Sequence, residues 1–159
     1  MRLAGVVLAA FAVSPTFATA SDSDFIPGQE RQIVYYSPWG DCIGNPRSPL
    51  CALDTLLSCM VRSDWGMCAT IGAAGRTTCR ITGVRYSVGR VTDTDSSARI
   101  TFRAQVCRDD RLCGAPSRDE TEELERVNGR WRFISEPSIL TLACGPHAST
   151  TGLGARLWV

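Results

Sequence analysis

The sequence predicts an α+β domain, helix first and antiparallel sheet after, stapled by disulfides. Three observations carry this. Apolar residues recur with a helical period from Leu50 to Met60, they alternate with a strand period from Arg99 to Val106, and eight cysteines follow an export signal.

The elements follow in chain order. Met1-Arg2 is a short basic start, Leu3 to Val13 is an uncharged run of apolar and small residues, and Ser14-Pro15 breaks it before Ala18-Thr19-Ala20. The run has the length of a signal-peptide h-region and falls short of the roughly 20 apolar residues that span a bilayer. Residues 1–20 are therefore expected to be a signal peptide cleaved after Ala20. That places the mature chain in the periplasm or outside the cell, with no membrane association after cleavage. The 17 basic and 16 acidic residues nearly cancel, and every basic one is Arg. A chain so balanced, with no basic run, has no electrostatic reason to bind nucleic acid or an anionic membrane.

Residues 21–48 read as an N-terminal extension and loop. Within them Arg31 to Pro38 suits a short ordered piece, extended or helical, and Gly40 to Pro49 is a loop. The domain proper is expected over residues 49–144. Ser48 is placed to cap a helix, Pro49 suits its first position, and Leu50, Leu53, Leu57 and Met60 form its apolar stripe. Asp54, Thr55, Ser58 and Arg62 share the opposite face. Gly66 is the expected stop, with a second short helix through Met67 to Ile71. Thr78 to Thr92 then alternates loosely, with Val84, Tyr86 and Val88 on one side. Arg99 to Val106 alternates strictly, setting Ile100, Phe102, Ala104 and Val106 against Arg99, Thr101, Arg103 and Gln105. Arg108 to Ser117 is expected to be a loop. Glu120 to Val127 and Arg130 to Ser135 read as strands joined by a tight turn at Asn128-Gly129, and Ile139 to Ala143 as one more strand. Residues 145–159 read as a loose tail.

An even number of cysteines behind a signal peptide implies disulfides, and no C-x-x-C or Cys/His spacing suits zinc. Eight cysteines allow 105 connectivities, so local spacing has to choose. Five residues separate Cys107 from Cys113, and a bridge there would fix a polar loop and stabilise it by about 2 kcal/mol. Cys42 with Cys51 and Cys59 with Cys68 are similarly local, leaving Cys79 with Cys144.

Signals for chemistry are sparse. His147, the single histidine, lies in a Gly- and Pro-flanked loop, and no G-x-S-x-G offers a nucleophile for it. There is no phosphate loop and no redox pair of cysteines, so no metal or cofactor is expected. The acidic run Asp119 to Glu125 lacks calcium-loop spacing. Glu123 and Glu125 are expected to face Arg99, Arg103 or Arg132 across strands, each pair contributing about 0.2–1 kcal/mol.

Three stretches together resemble a known family. They are the opening helix with its trailing acidic-aromatic pair (Pro49 to Trp65), the alternating strand (Ala98 to Val106), and the closing hairpin Glu122 to Ile134 with Asn128-Gly129-Arg130-Trp131 at its turn. This combination resembles the nuclear transport factor 2-like superfamily, the cone-shaped α+β fold shared with ketosteroid isomerase and scytalone dehydratase. The resemblance implies N-terminal helices packed on a curved antiparallel sheet, enclosing an apolar pocket. Leu57, Asp64, Tyr86, Phe102, Trp131 and Phe133 would line it. Enzymes of this kind use a carboxylate base with Tyr or His donors, and Asp64 with Tyr86 is the best counterpart, Asp54 being the other carboxylate. The catalytic His and the Tyr of the isomerase's opening helix have no equivalent here. A structural reading stands beside this one, with Asp64 bonded to a nearby N–H or Arg and Tyr86 in the core.

A fold of this kind hosts unrelated functions. The sequence therefore favours an exported, non-catalytic module that binds a small apolar ligand or a protein partner. The alternatives are an isomerase or hydro-lyase working through a carboxylate base, and an inhibitor of an extracellular enzyme acting through Arg108 to Ser117.

Overall fold

The structure, a computed structural model, describes residues 26–38, 40–77, 79–109 and 112–144. The expected signal peptide, the expected tail and His147 lie outside the described residues. In order come β1 (Glu30–Val34), α1 (Pro49–Arg62), α2 (Trp65–Thr70), β2 (Gly83–Asp93), β3 (Ser97–Asp109), the two-residue β4 (Leu112–Cys113), β5 (Glu120–Val127), β6 (Arg130–Phe133) and α3 (Ser138–Leu142). The strands form one antiparallel sheet in the order β1-β2-β3-β5-β6, with β4 added to β3, and the sheet curls into a half-barrel.

α1 forms where its capping signal and apolar stripe coincide. Ser48 Oγ accepts from Cys51 N at 3.1 Å and Pro49 opens the helix. Its end differs from expectation. Ser63, at φ 55°, takes the left-handed capping position, and Gly66 lies inside α2 instead. The chain restarts at once because Asp64 caps α2, its carboxylate accepting from Met67 N at 3.0 Å.

The face of α1 expected to be solvated is covered as well. Thr55 and Ser58 are fully buried. Thr55 Oγ1 accepts from Gly44 N at 3.1 Å and reaches Cys51 O at 2.7 Å, so it pins the preceding loop onto the helix. Thr55 is buried at little cost because its hydrogen bonds are made, which is why periodicity misplaced it, whereas Ser58 Oγ has no hydrogen-bond partner among the described residues.

The sheet buries one face. Ile33, Val84, Tyr86, Val88, Ile100, Phe102, Leu124, Trp131 and Phe133 lie in a single core with α1 and α2. One-sided burial explains the alternation and fixes the register, since a slip of one residue would turn every side chain over. On the outer face Arg99 pairs Glu123, Thr101 Oγ1 meets Thr121 Oγ1 at 3.1 Å, and Arg132 lies opposite Glu125 in register. Arg103 pairs with Asp119 rather than with either glutamate. At the hairpin, Asn128 (φ 51°) and Gly129 (φ 79°) both adopt the left-handed backbone of a type I′ turn.

Three segments depart from the sequence reading. β1 falls within the expected N-terminal extension, yet it is an edge strand of the sheet, with Glu30 to Val34 opposite Ser87 to Gly83. Arg108 to Ser117 is not a loop throughout. β3 continues to Asp109 and the chain returns alongside it, with Gly114 N donating to Val106 O at 2.9 Å and Ser117 N to Ala104 O at 2.7 Å. The strand expected at Ile139 to Ala143 is the helix α3. A short apolar run fits either period, and the Glu122 carboxylate, accepting from Ser138 N at 2.8 Å and Ser138 Oγ at 2.7 Å, holds the first helical turn.

Four disulfides join Cys42 to Cys51, Cys59 to Cys68, Cys79 to Cys144 and Cys107 to Cys113, the pairings that spacing suggests. They fit a protein of an oxidising compartment. No helix among the described residues is long and apolar enough to cross a membrane.

Candidate functional site

Where α1 lies over the β1–β2 pair, three polar side chains meet under the apolar core. Tyr86 points inward from β2 and Arg31 is its cross-strand partner on β1. Asp54 descends from α1 between them. Tyr86 Oη donates to Asp54 Oδ1, and Arg31 Nη1 lies 3.6 Å from Asp54 Oδ2. The Asp54 side chain is 13% exposed and that of Arg31 41%, so the cluster is closed on the Tyr86 side and reaches water through Arg31.

Burial governs the proton affinities here. It pushes the Asp54 carboxyl above its ordinary value, and the Tyr86 hydrogen bond and the Arg31 charge offset this in part. Burial also raises Tyr86, and the neighbouring Asp54 charge and hydrogen bond raise it further. Tyr86 therefore stays a phenol and a donor. The two groups suited to proton transfer are hydrogen-bonded to each other, and the Arg31 guanidinium lies in an ion pair with the second carboxylate oxygen.

The structure thus pairs Tyr86 with Asp54 and not with Asp64. Asp64 caps α2, so its place is the structural one weighed in the sequence. Arg31 carries no signal of its own in the sequence, because Arg31 to Pro38 reads equally as helix or strand and a strand is needed to set it opposite Tyr86. Glu122 was also missed. Its signal was present, since it shares the inward parity of Leu124 on β5, and it is 4% exposed.

Leu57, Tyr86, Phe102, Trp131 and Phe133 all belong to the core. Leu57 is 0% and Phe102 1% accessible, so neither faces a void that admits water. An open depression of about 330 Å³ lies elsewhere, at the β2–β3 turn, where Thr92, Asp93, Thr94, Ser97, Glu123 and Ile134 are among its walls. Its hydroxyls are engaged locally, Thr94 Oγ1 with Ser97 Oγ at 2.9 Å. Comparison with known protein families, with characterised proteins and with solved structures finds no match for this chain.

Proposed function

We infer that the protein is an exported, non-catalytic interaction module that recognises a protein partner through its surface. The observation that carries this reading is the closure of the Asp54–Tyr86–Arg31 cluster. A general base needs a lone pair directed at substrate, and here Asp54 is turned into the fold, with Tyr86 donating to one carboxylate oxygen and Arg31 forming an ion pair at 3.6 Å with the other. Core burial of Leu57 and Phe102 moves recognition from an interior pocket to the surface. The curled sheet over N-terminal helices supports kinship with the cone-shaped superfamily. The signal-peptide pattern and four disulfides support the compartment.

A second reading has one specific observation in its favour. Asp54 sits against a tyrosine donor with its proton affinity raised, as a carboxylate base of an isomerase or hydro-lyase would. Proton exchange separates the two readings. An enolisable cyclic ketone incubated with the oxidised protein in deuterated buffer is followed by proton NMR. A non-catalytic module leaves α-proton exchange at the buffer rate. Exchange accelerated by the wild type and abolished by Asp54→Asn would establish the enzyme.

A further inference from the structure

The two edges of the sheet are treated differently. On β6 the outward amides are used, Trp131 N donating to Pro46 O at 2.7 Å and Phe133 N to Ile71 O at 2.9 Å. On β1 the hydrogen-bond phase leaves an open edge. Val34 turns both its backbone groups away from β2, its N–H to Ser37 Oγ at 2.9 Å and its C=O to Ser37 N at 2.9 Å. In an antiparallel pair successive residues alternate, so Glu30 and Gln32 also point outward while Arg31 and Ile33 bond β2. Gly28 N donating to Val88 O at 2.8 Å, on the β2 residue two beyond Tyr86, agrees with this phase. No described group pairs with the outward N–H and C=O of Glu30 or Gln32. Val34, the next outward position, is already closed by Ser37.

Exposed apolar side chains flank the same edge. Ile26 (61% exposed) precedes β1, and Tyr35 (58%) and Tyr36 (88%) follow it. Tyr35 and Tyr36 occupy the centre of the turn closed by Ser37 N and Val34 O, their rings edge to face at 5.2 Å. The turn is fixed from behind by Arg62, which donates from Nη2 to Ser37 O. Two aromatic residues at positions that normally carry Gly, Asn or Asp stand exposed on a turn whose backbone is hydrogen-bonded at both ends, and they offer an apolar contact surface.

These two patterns share a centre. Pairing β1 with a second copy of itself by a two-fold axis at Arg31 sets Glu30 opposite Gln32 in both directions, satisfying every open backbone group. The same axis carries Tyr35 and Tyr36 of one copy to the end where Pro27 and Ile26 of the other lie. The hydrogen-bond phase and the apolar pattern select this register independently. Like charges then meet at Arg31, but each guanidinium is drawn over its own α1 by Asp54. We propose that the chain self-associates as a two-fold dimer through antiparallel β1–β1 pairing centred on Arg31, with the Tyr35–Tyr36 turn of each copy seated against Ile26 of the other. This goes beyond the functional reading and does not depend on it.

Sedimentation velocity of the oxidised protein over a concentration series tests the proposal. A monomer–dimer equilibrium is expected. Gln32→Pro removes an outward N–H that β2 does not use, so the fold tolerates it at an edge, and it should weaken association on the order of tenfold or more. Tyr36→Ser, at a position 88% exposed and outside the core, should weaken it several-fold. Ile134→Ser, exposed on the far side of the sheet, should leave it unchanged. A wild type that stays monomeric to ~1 mM, or a dimer indifferent to both Gln32→Pro and Tyr36→Ser, would overturn it.

Discussion

Tyr86 on β2 donates its phenolic hydrogen to Asp54 on α1, tying helix to sheet through a buried carboxylate. The neighbouring Arg31 lies on β1, so the cluster joins three elements distant in sequence. Replacing Tyr86 with Phe keeps the packing and leaves a carboxylate oxygen with one partner fewer. A loss of about 1–3 kcal/mol in unfolding free energy is expected, read by urea denaturation.

Asp54 sets a pH dependence of unusual sign for a carboxylate. Burial raises its folded-state value above the unfolded 3.8, so the folded protein holds this proton more tightly than the unfolded chain does. Stability from this group is full below the unfolded value and is lost as pH rises through the folded one. Asn at position 54 keeps an acceptor for Tyr86 and abolishes the titration. Asp54→Asn should therefore gain stability relative to the wild type as pH rises from the unfolded value of 3.8 towards neutrality. Melting temperatures of both proteins across that range read the difference directly. A constant or falling difference would mean that Arg31 outweighs burial.

Gly72 is required by its backbone and by its neighbour. It sits at φ 81°, and a Cβ there would lie 2.7 Å from the Phe133 carbonyl oxygen. The same stretch covers the β6 edge through the Phe133 N to Ile71 O bond. Gly72→Ala should cost about 1–3 kcal/mol and speed amide hydrogen exchange at Phe133.

The four disulfides should differ in weight. Cys79 and Cys144 are 65 residues apart, and Cys107 and Cys113 only 6. By the chain-entropy estimate the long loop contributes about 4 kcal/mol and the short one about 2 kcal/mol. Replacing both cysteines of a pair with Ser should lower the urea midpoint more for Cys79 and Cys144. The reverse order would show that the short bridge restrains more than its own loop.

The sequence was most legible where one physical signal dominated. The strict alternation of β3 and the Asn128-Gly129 turn come straight from burial of one sheet face and from the left-handed backbone of the turn. Local cysteine spacing suggested the pairings because three of the four loops are short. It was illegible where tertiary contacts decided. The segment over Ile139 carries no period long enough to separate helix from strand, and the Glu122 carboxylate from a distant strand settled it. Arg31 became meaningful once β1 set it opposite Tyr86, and Asp54 looked solvated because its partners come from other elements.

The claim that recognition takes place at the surface, with the inner sheet face serving as core, meets its most direct test in solution. The native, oxidised protein is titrated with an apolar fluorescent probe and compared with the reduced, denatured chain. With Leu57 and Phe102 only 0% and 1% exposed, the native protein should show no saturable site. Saturable binding at one probe per chain, weakened by substitution of Leu57 or Phe102 in a variant that still folds, would place an apolar pocket inside the sheet and contradict the account.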